Sequence, residues 1–167
     1  AYLVAQHMPR HFTAAFAERL NRRSAANVVQ ACHGELVKPG CVYIAPGGSH
    51  MELVESQEGW QLILSEAEYT DSCAPSVDKL FISVAEHYHG AALGIMLTGM
   101  GTDGRVGVEA LHRAGGHVVA ESEETATVFG LPKEAIASGA VNEVLPLPKI
   151  VDRLAKFARG EGVRTEP

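Results

Sequence analysis

A three-layer α/β/α fold with a mainly parallel, doubly wound sheet is what this sequence predicts, on three observations. Short β-branched apolar runs alternate with segments of helical period, the pattern of strands covered by helices. Residues 91–97 are almost wholly apolar, as a central parallel strand buried on both faces requires. Apolar residues make up 46% of the 167, enough for one domain around one core.

The elements follow in order. Residues 2–5 predict a buried strand, with Gln6 and His7 at its carboxyl end. Phe12, Phe16 and Leu20 then recur every four residues, which places all three on one face of a helix. From Val28 to Leu64 the pattern turns to strands: residues 42–44, 51–54 and 60–64, broken at Pro39-Gly40, Pro46-Gly47-Gly48 and Glu58-Gly59. Tight turns join antiparallel neighbours, so this stretch predicts an antiparallel hairpin insert beside the main sheet.

The clearest helix starts after Ser76, a good N-cap, with Asp78 in the first turn. Its apolar stripe is Val77, Leu80, Phe81, Val84 and Tyr88, ended by Gly90. The strand at 91–97 leads into the glycine-rich run Thr98-Gly99-Met100-Gly101-Thr102-Asp103-Gly104 and a helix through Val108 and Leu111. Residues 117–120 predict a strand, 132–138 a short helix with proline in its first turn, and 143–145 a last strand. A final helix turns Ile150, Val151, Leu154 and Phe157 inward. With no repeat and no linker, residues 1–159 read as one domain and 160–167 as a polar tail.

Composition excludes several classes. The net charge of −6 argues against a nucleic-acid partner, which needs clustered Lys and Arg. No apolar run approaches the roughly 20 residues that cross a bilayer, so no membrane insertion is expected, and nothing resembles a secretion signal. Cys32, Cys41 and Cys73 form no CxxC pair and are odd in number, as in a reduced, cytoplasmic protein. Eight histidines raise the question of a metal, but His87 and His89 point to different sides of a helix and no zinc spacing occurs. No metal and no organic cofactor are expected.

In open parallel sheets ligands bind beyond the carboxyl ends of the strands. His7 and Asp103 both fall there. A carboxylate that accepts a hydrogen bond from one imidazole nitrogen fixes the tautomer and frees the other nitrogen to take a hydroxyl proton. Beside them the loop glycines, Gly99 and Gly101 among them, offer backbone N–H groups that approach a developing oxyanion without side-chain hindrance. Plainer roles stand beside these. Asp103 could cap the helix that follows, His50 could close a turn, and His112 and His117 read as structural. The same loop also spells G-x-G-x-x-G (Gly99, Gly101, Gly104) between strand and helix, with Glu121 where a ribose-binding acid belongs. A dinucleotide-binding unit is therefore an alternative, weakened because Asp103 would set a like charge beside the pyrophosphate.

Several blocks together resemble one family. Gln6-His7-Met8-Pro9 with Phe12-Thr13 and the run from Phe16 to Asn21 is similar to the histidine segment of the chemotaxis receptor protein-glutamate methylesterases. Tyr43-Ile44-Ala45-Pro46-Gly47, His50-Met51-Glu52-Leu53, Pro75-Ser76-Val77-Asp78 and Leu97-Thr98-Gly99-Met100-Gly101 with Asp103-Gly104 resemble it as well, as does Val128-Phe129-Gly130-Leu131-Pro132. The resemblance covers residues 1–158. It implies hydrolysis of glutamate methyl esters on the helical cytoplasmic region of chemotaxis receptors, together with deamidation of receptor glutamines. It matches His7 and Asp103 to the family's catalytic histidine and aspartate and the backbone at Met100 to its oxyanion donor, with His50 and Met51 in support behind the site. The family's serine lies in an Ala-Ser-Thr-Gly-Gly turn upstream of the histidine segment, and this chain opens inside the strand after it. Ser49, in a glycine-rich turn, belongs to a different block. The expectation is a longer polypeptide with the serine turn, and an N-terminal response-regulator domain, before Ala1; a binding module without the serine is the non-catalytic alternative.

Overall fold

The computed structural model describes residues 1–88 and 92–161. The helix end expected at Gly90, the strand start at Ala91, His89 and the tail from residue 162 lie outside the described residues. In chain order the elements are β1 (Tyr2–Val4), α1 (Arg10–Asn21), β2 (Asn27–Gln30), β3 (Glu35–Leu36), β4 (Cys41–Ile44), β5 (Ser49–Ser56) and β6 (Gly59–Glu66). They continue with α2 (Val77–His87), β7 (Leu93–Met96), α3 (Arg105–Arg113), β8 (His117–Glu121), α4 (Gly130–Ala137), β9 (Glu143–Leu145) and α5 (Leu147–Ala158).

The strands form two parallel sheets, β1-β4-β2 and β7-β8-β9, and one antiparallel sheet, β3-β6-β5. Val42 of β4 stands between Tyr2 and Val28, and Val119 of β8 between Ile95 and Glu143. Side chains on β4 alternate between two cores, as strand geometry demands. Cys41 and Tyr43 pack with Met51, Leu62 and Leu80 under the antiparallel sheet, while Ile44 packs with Ala17 and Val28 beneath α1. A third core joins α2, α3 and α4 to β7 and β8 through Val77, Met96, Val108, Leu111, Val118 and Leu131.

Five expectations are corrected. Residues 42–44 are not part of the antiparallel insert: β4 pairs in parallel with β1 and β2, and only β3, β5 and β6 run antiparallel. The turn at Pro39-Gly40 joins strands of different sheets, so it does not make a hairpin. Phe12 does not face inward. It is 57% exposed, because the buried line of α1 runs through Thr13 and Ala17 with Phe16 and Leu20 beside it. In α5, Ile150 is buried but Val151 is exposed. Finally, the strand expected at 91–97 is not central: β7 ends its sheet, and β8, with Val118, Val119 and Ala120 fully buried, is the middle strand.

β1 and β7 do not pair with each other. A cavity of about 700 Å³ separates them, lined on the strands by Leu3 and Ile95 and on the helices by Phe81, Ile150, Leu154 and Phe157. Each is the terminal strand of its parallel sheet, and both line this apolar space. The edges of such strands hold donors and acceptors that a protein normally pairs.

Candidate active site

His7 follows β1 and lines the cavity, and Asp103 lies in the loop that follows β7. The side chains meet: His7 Nε2–H donates to Asp103 Oδ2 at 2.8 Å. A carboxylate only accepts, so Nε2 holds the ring proton and Nδ1 is the basic nitrogen. Nδ1 has no hydrogen-bond partner among the described residues. The His7 side chain is 25% exposed and that of Asp103 10%.

The carboxylate is held by the start of α2. Ser76, its N-cap, accepts from the Lys79 N–H and donates its hydroxyl to Asp103 Oδ1 at 2.8 Å. The Val77 N–H donates to Oδ2 at 2.6 Å and the Asp78 N–H to Oδ1 at 3.1 Å. These are the free donors that every helix start offers, and they favour negative charge. Burial opposes ionisation of Asp103, but His7, the two backbone N–H groups and the Ser76 hydroxyl outweigh it and hold the carboxyl well below the usual carboxylate range. At neutral pH it is an anion aimed at the imidazole.

Loop 97–104 forms the other wall. The Gly99 N–H donates to Val128 O at 2.9 Å, and the Gly99 carbonyl accepts from Leu131 N at 2.8 Å. Gly99 is therefore committed to the loop and is removed from the oxyanion set. The Met100 and Gly101 N–H groups have no partner among the described residues, and Met100 is 81% exposed. Gly101 has φ +109°, a conformation that side chains disfavour.

The remaining expected residues separate. His50 lies behind the site, joined to it through Ser76. Met51 packs in the core with Tyr43 and Leu62, away from the His7–Asp103 pair. Ser49 opens β5 in the antiparallel sheet, and no hydrogen bond among the described residues links it to His7. The His112 side chain makes no hydrogen bond among the described residues, whereas His117 has partners the sequence did not reveal: its ring meets Glu143, and Arg153 joins both. Burial raises the Glu143 pKa, yet His117 and Arg153 bring it below the ordinary value.

The dinucleotide alternative loses two parts. Glu121 is buried, and its carboxylate accepts from the Thr98 N–H at 2.9 Å and the Thr125 hydroxyl at 2.9 Å, so it faces no ribose. The start of α3 already receives a carboxylate, since Gly107 N–H donates to Asp78 Oδ1 at 2.6 Å.

Sequence reading missed three neighbours: Cys73, Asp71 and the hydroxyl of Ser76 as a donor to Asp103. Ser76 was legible as a cap, and a helix start seeks an anion; which anion depended on packing. Donor atoms of His7, Cys73 and Asp103 lie within 4.8 Å of one another, the arrangement among the described residues that could hold a metal. The fit is poor, because all four lone-pair positions of Asp103 are already occupied by hydrogen bonds. Burial and the neighbouring Asp103 push the Cys73 thiol up to about 11, so it is a neutral thiol at pH 7.

A rim-placed imidazole, tautomerically fixed by a carboxylate on a parallel α/β framework, is the apparatus by which hydrolases activate a hydroxyl nucleophile. Comparison with known proteins narrows that class. The model of the CheB methylesterase family matches residues 1–154, and the chain belongs to this family. It is 53% identical over 157 residues to the protein-glutamate methylesterase/protein-glutamine glutaminase 1 of Myxococcus xanthus, covering 94% of this chain and 46% of that protein. It is 45% identical over 165 residues to the corresponding Salmonella typhi protein, covering 98% of this chain and 47% of that one. The chain thus spans about half the length of the curated relatives it matches. The crystal structure of the Thermotoga maritima CheB methylesterase catalytic domain superposes with a TM-score of 0.88 at 40% identity, covering 93% of this chain and 82% of that one. Among the described residues no helix is long and apolar enough to cross a membrane.

Proposed function

We propose that residues 1–159 are the larger part of a cytoplasmic protein-glutamate methylesterase domain, acting on methylated glutamates in the helical cytoplasmic region of chemotaxis receptors and deamidating receptor glutamines. The His7–Asp103 hydrogen bond of 2.8 Å is the observation that carries this reading. The names of the relatives support the substrate chemistry. Their greater length supports an N-terminal response-regulator domain in the full polypeptide.

The nucleophile in this proposal is a serine upstream of Ala1, at the carboxyl end of a strand lying between β1 and β7. The apolar cavity there supports it, since an inserted parallel strand would pair both free edges and end beside His7. The serine oxygen attacks the ester carbonyl while His7 Nδ1 takes its proton. Asp103 stabilises the imidazolium, and the Met100 and Gly101 N–H groups receive the oxyanion. Collapse breaks the bond to the methoxy oxygen, which leaves as methanol with the proton from His7. Water, deprotonated by the same nitrogen, then attacks the acyl-serine and frees the glutamate carboxylate and the serine. No metal or organic cofactor enters these steps.

The test is methanol release from methylated receptor by the full polypeptide. His7→Ala should lower turnover about 10³- to 10⁴-fold without loss of fold. Full activity in that variant refutes the reading.

A further inference from the structure

Asp103 depends on the position of the first turn of α2, and that turn is tied from behind by a buried imidazole outside the proposed reaction. His50, the second residue of β5, is 1% exposed. Both of its ring nitrogens are engaged. Nε2–H donates to Asp71 Oδ2 at 2.8 Å, and Nδ1 accepts from the Ser76 N–H at 3.2 Å. The two partners demand opposite roles, a carboxylate that only accepts and an amide that only donates, so His50 is held in one neutral tautomer.

Asp71 is itself fixed. Its Oδ2 also accepts from the Glu68 N–H at 2.7 Å, and Lys79 Nζ lies 3.7 Å from Oδ1. The His50 hydrogen bond, then that of Glu68, lower the Asp71 pKa. A second tie between β5 and α2, Leu53 N–H to Ser83 Oγ at 2.9 Å, sits farther along the helix. The His50 tie is the one at the end that meets Asp103.

We propose that His50, oriented by Asp71, is a positioning residue: by holding the Ser76 amide it aims the Ser76 hydroxyl and the Val77 and Asp78 N–H groups at Asp103, and through Asp103 sets the ring of His7. The inference rests on the esterase reading for its consequence in turnover, but its geometric content does not. A purely structural histidine would affect stability alone. A positioning one affects the His7–Asp103 contact and kcat, with KM little changed, because the substrate does not touch it.

Three variants separate these roles. His50→Phe keeps bulk and removes the acceptor for Ser76 N–H. His50→Asn offers its amide oxygen near the place of Nδ1 and keeps that acceptor. Asp71→Ala removes the group that orients the ring, at a less buried position, and serves where His50→Phe fails to fold. Two measurements are made on the full polypeptide with ¹⁵N-labelled histidine: kcat and KM for methanol release, and the ¹H–¹⁵N signal of the His7 Nε2–H that is bonded to Asp103.

His50→Phe should lower kcat about 10- to 100-fold with KM within about twofold, the scale of a small misplacement of a reacting group. The His7 Nε2–H signal should broaden or disappear. Asp71→Ala should move both in the same direction, and His50→Asn should restore both most of the way. The proposal is overturned if folded His50→Phe or Asp71→Ala keeps the signal and kcat, or if His50→Asn is as impaired as His50→Phe. An absence of esterase activity in the unaltered protein would instead sink the esterase reading, and the His7 signal would still decide the positioning role.

Discussion

The two halves of the site are held in contrasting ways. Among the described residues the Asp103 carboxylate, following β7, accepts four hydrogen bonds and is nearly buried; the His7 ring, following β1, makes one and is more open. The carboxylate is anchored by a helix start, whereas the imidazole is anchored by the carboxylate. That asymmetry suits the chemistry. A group that must stay ionised gains from many fixed donors, while one that accepts and returns a proton needs a free nitrogen and a single orienting partner.

The contrast can be broken at either end. Asp103→Ala should cost as much turnover as His7→Ala, about 10³- to 10⁴-fold, because the ring loses its only hydrogen bond among the described residues; kinetics on methylated receptor with both variants checks this. Ser76→Ala removes one of four donors and a helix cap. It should lower kcat roughly 3- to 10-fold and lower stability by about 1 kcal/mol in urea melts. An effect equal to Asp103→Ala would mean that the four donors do not share the load.

The pH dependence sharpens the same point. Asp103 has a folded pKa below its unfolded value of about 3.9. Its contribution to stability is therefore complete above the unfolded value and is lost as pH falls through the folded one. Between about pH 5 and pH 2 the unaltered protein should lose more unfolding free energy than Asp103→Asn does, as measured by denaturant titration. Parallel curves would contradict the direction of the shift. The smallest effect concerns Cys73. With its pKa near about 11, only about one molecule in a thousand is thiolate at pH 8. Iodoacetamide should label exposed Cys32 well before Cys73, read by peptide mass mapping.

Several of these features were legible in the residues themselves. Ser76 as a cap, the stripe of α2 and the alternation of strands with helices depend on local periodicity and local backbone donors. Phe12 shows where that reasoning stops. Its spacing matched an apolar face, yet Thr13 is the fully buried residue, donating to Gln30 Oε1 at 2.9 Å and accepting from Gly47 N at 3.3 Å. A polar residue that finds partners enters the core as readily as an apolar one, and period alone does not set the phase. β4 shows another limit. Its turn was correctly placed, but the partner across a turn is chosen by the sheet that receives the strand.

By itself, then, the sequence determined the fold class, the placement of His7 and Asp103 at strand ends, and the family to which their surrounding blocks belong. Only the tertiary structure decided that the two side chains meet at 2.8 Å, that α2 rather than the glycine loop holds the carboxylate, and that His50 and Asp71 stand behind it. The reason is one of range. Periodicity and capping act within a few residues, whereas these contacts join positions 21 to 96 residues apart and form only when the strands and helices that carry them pack.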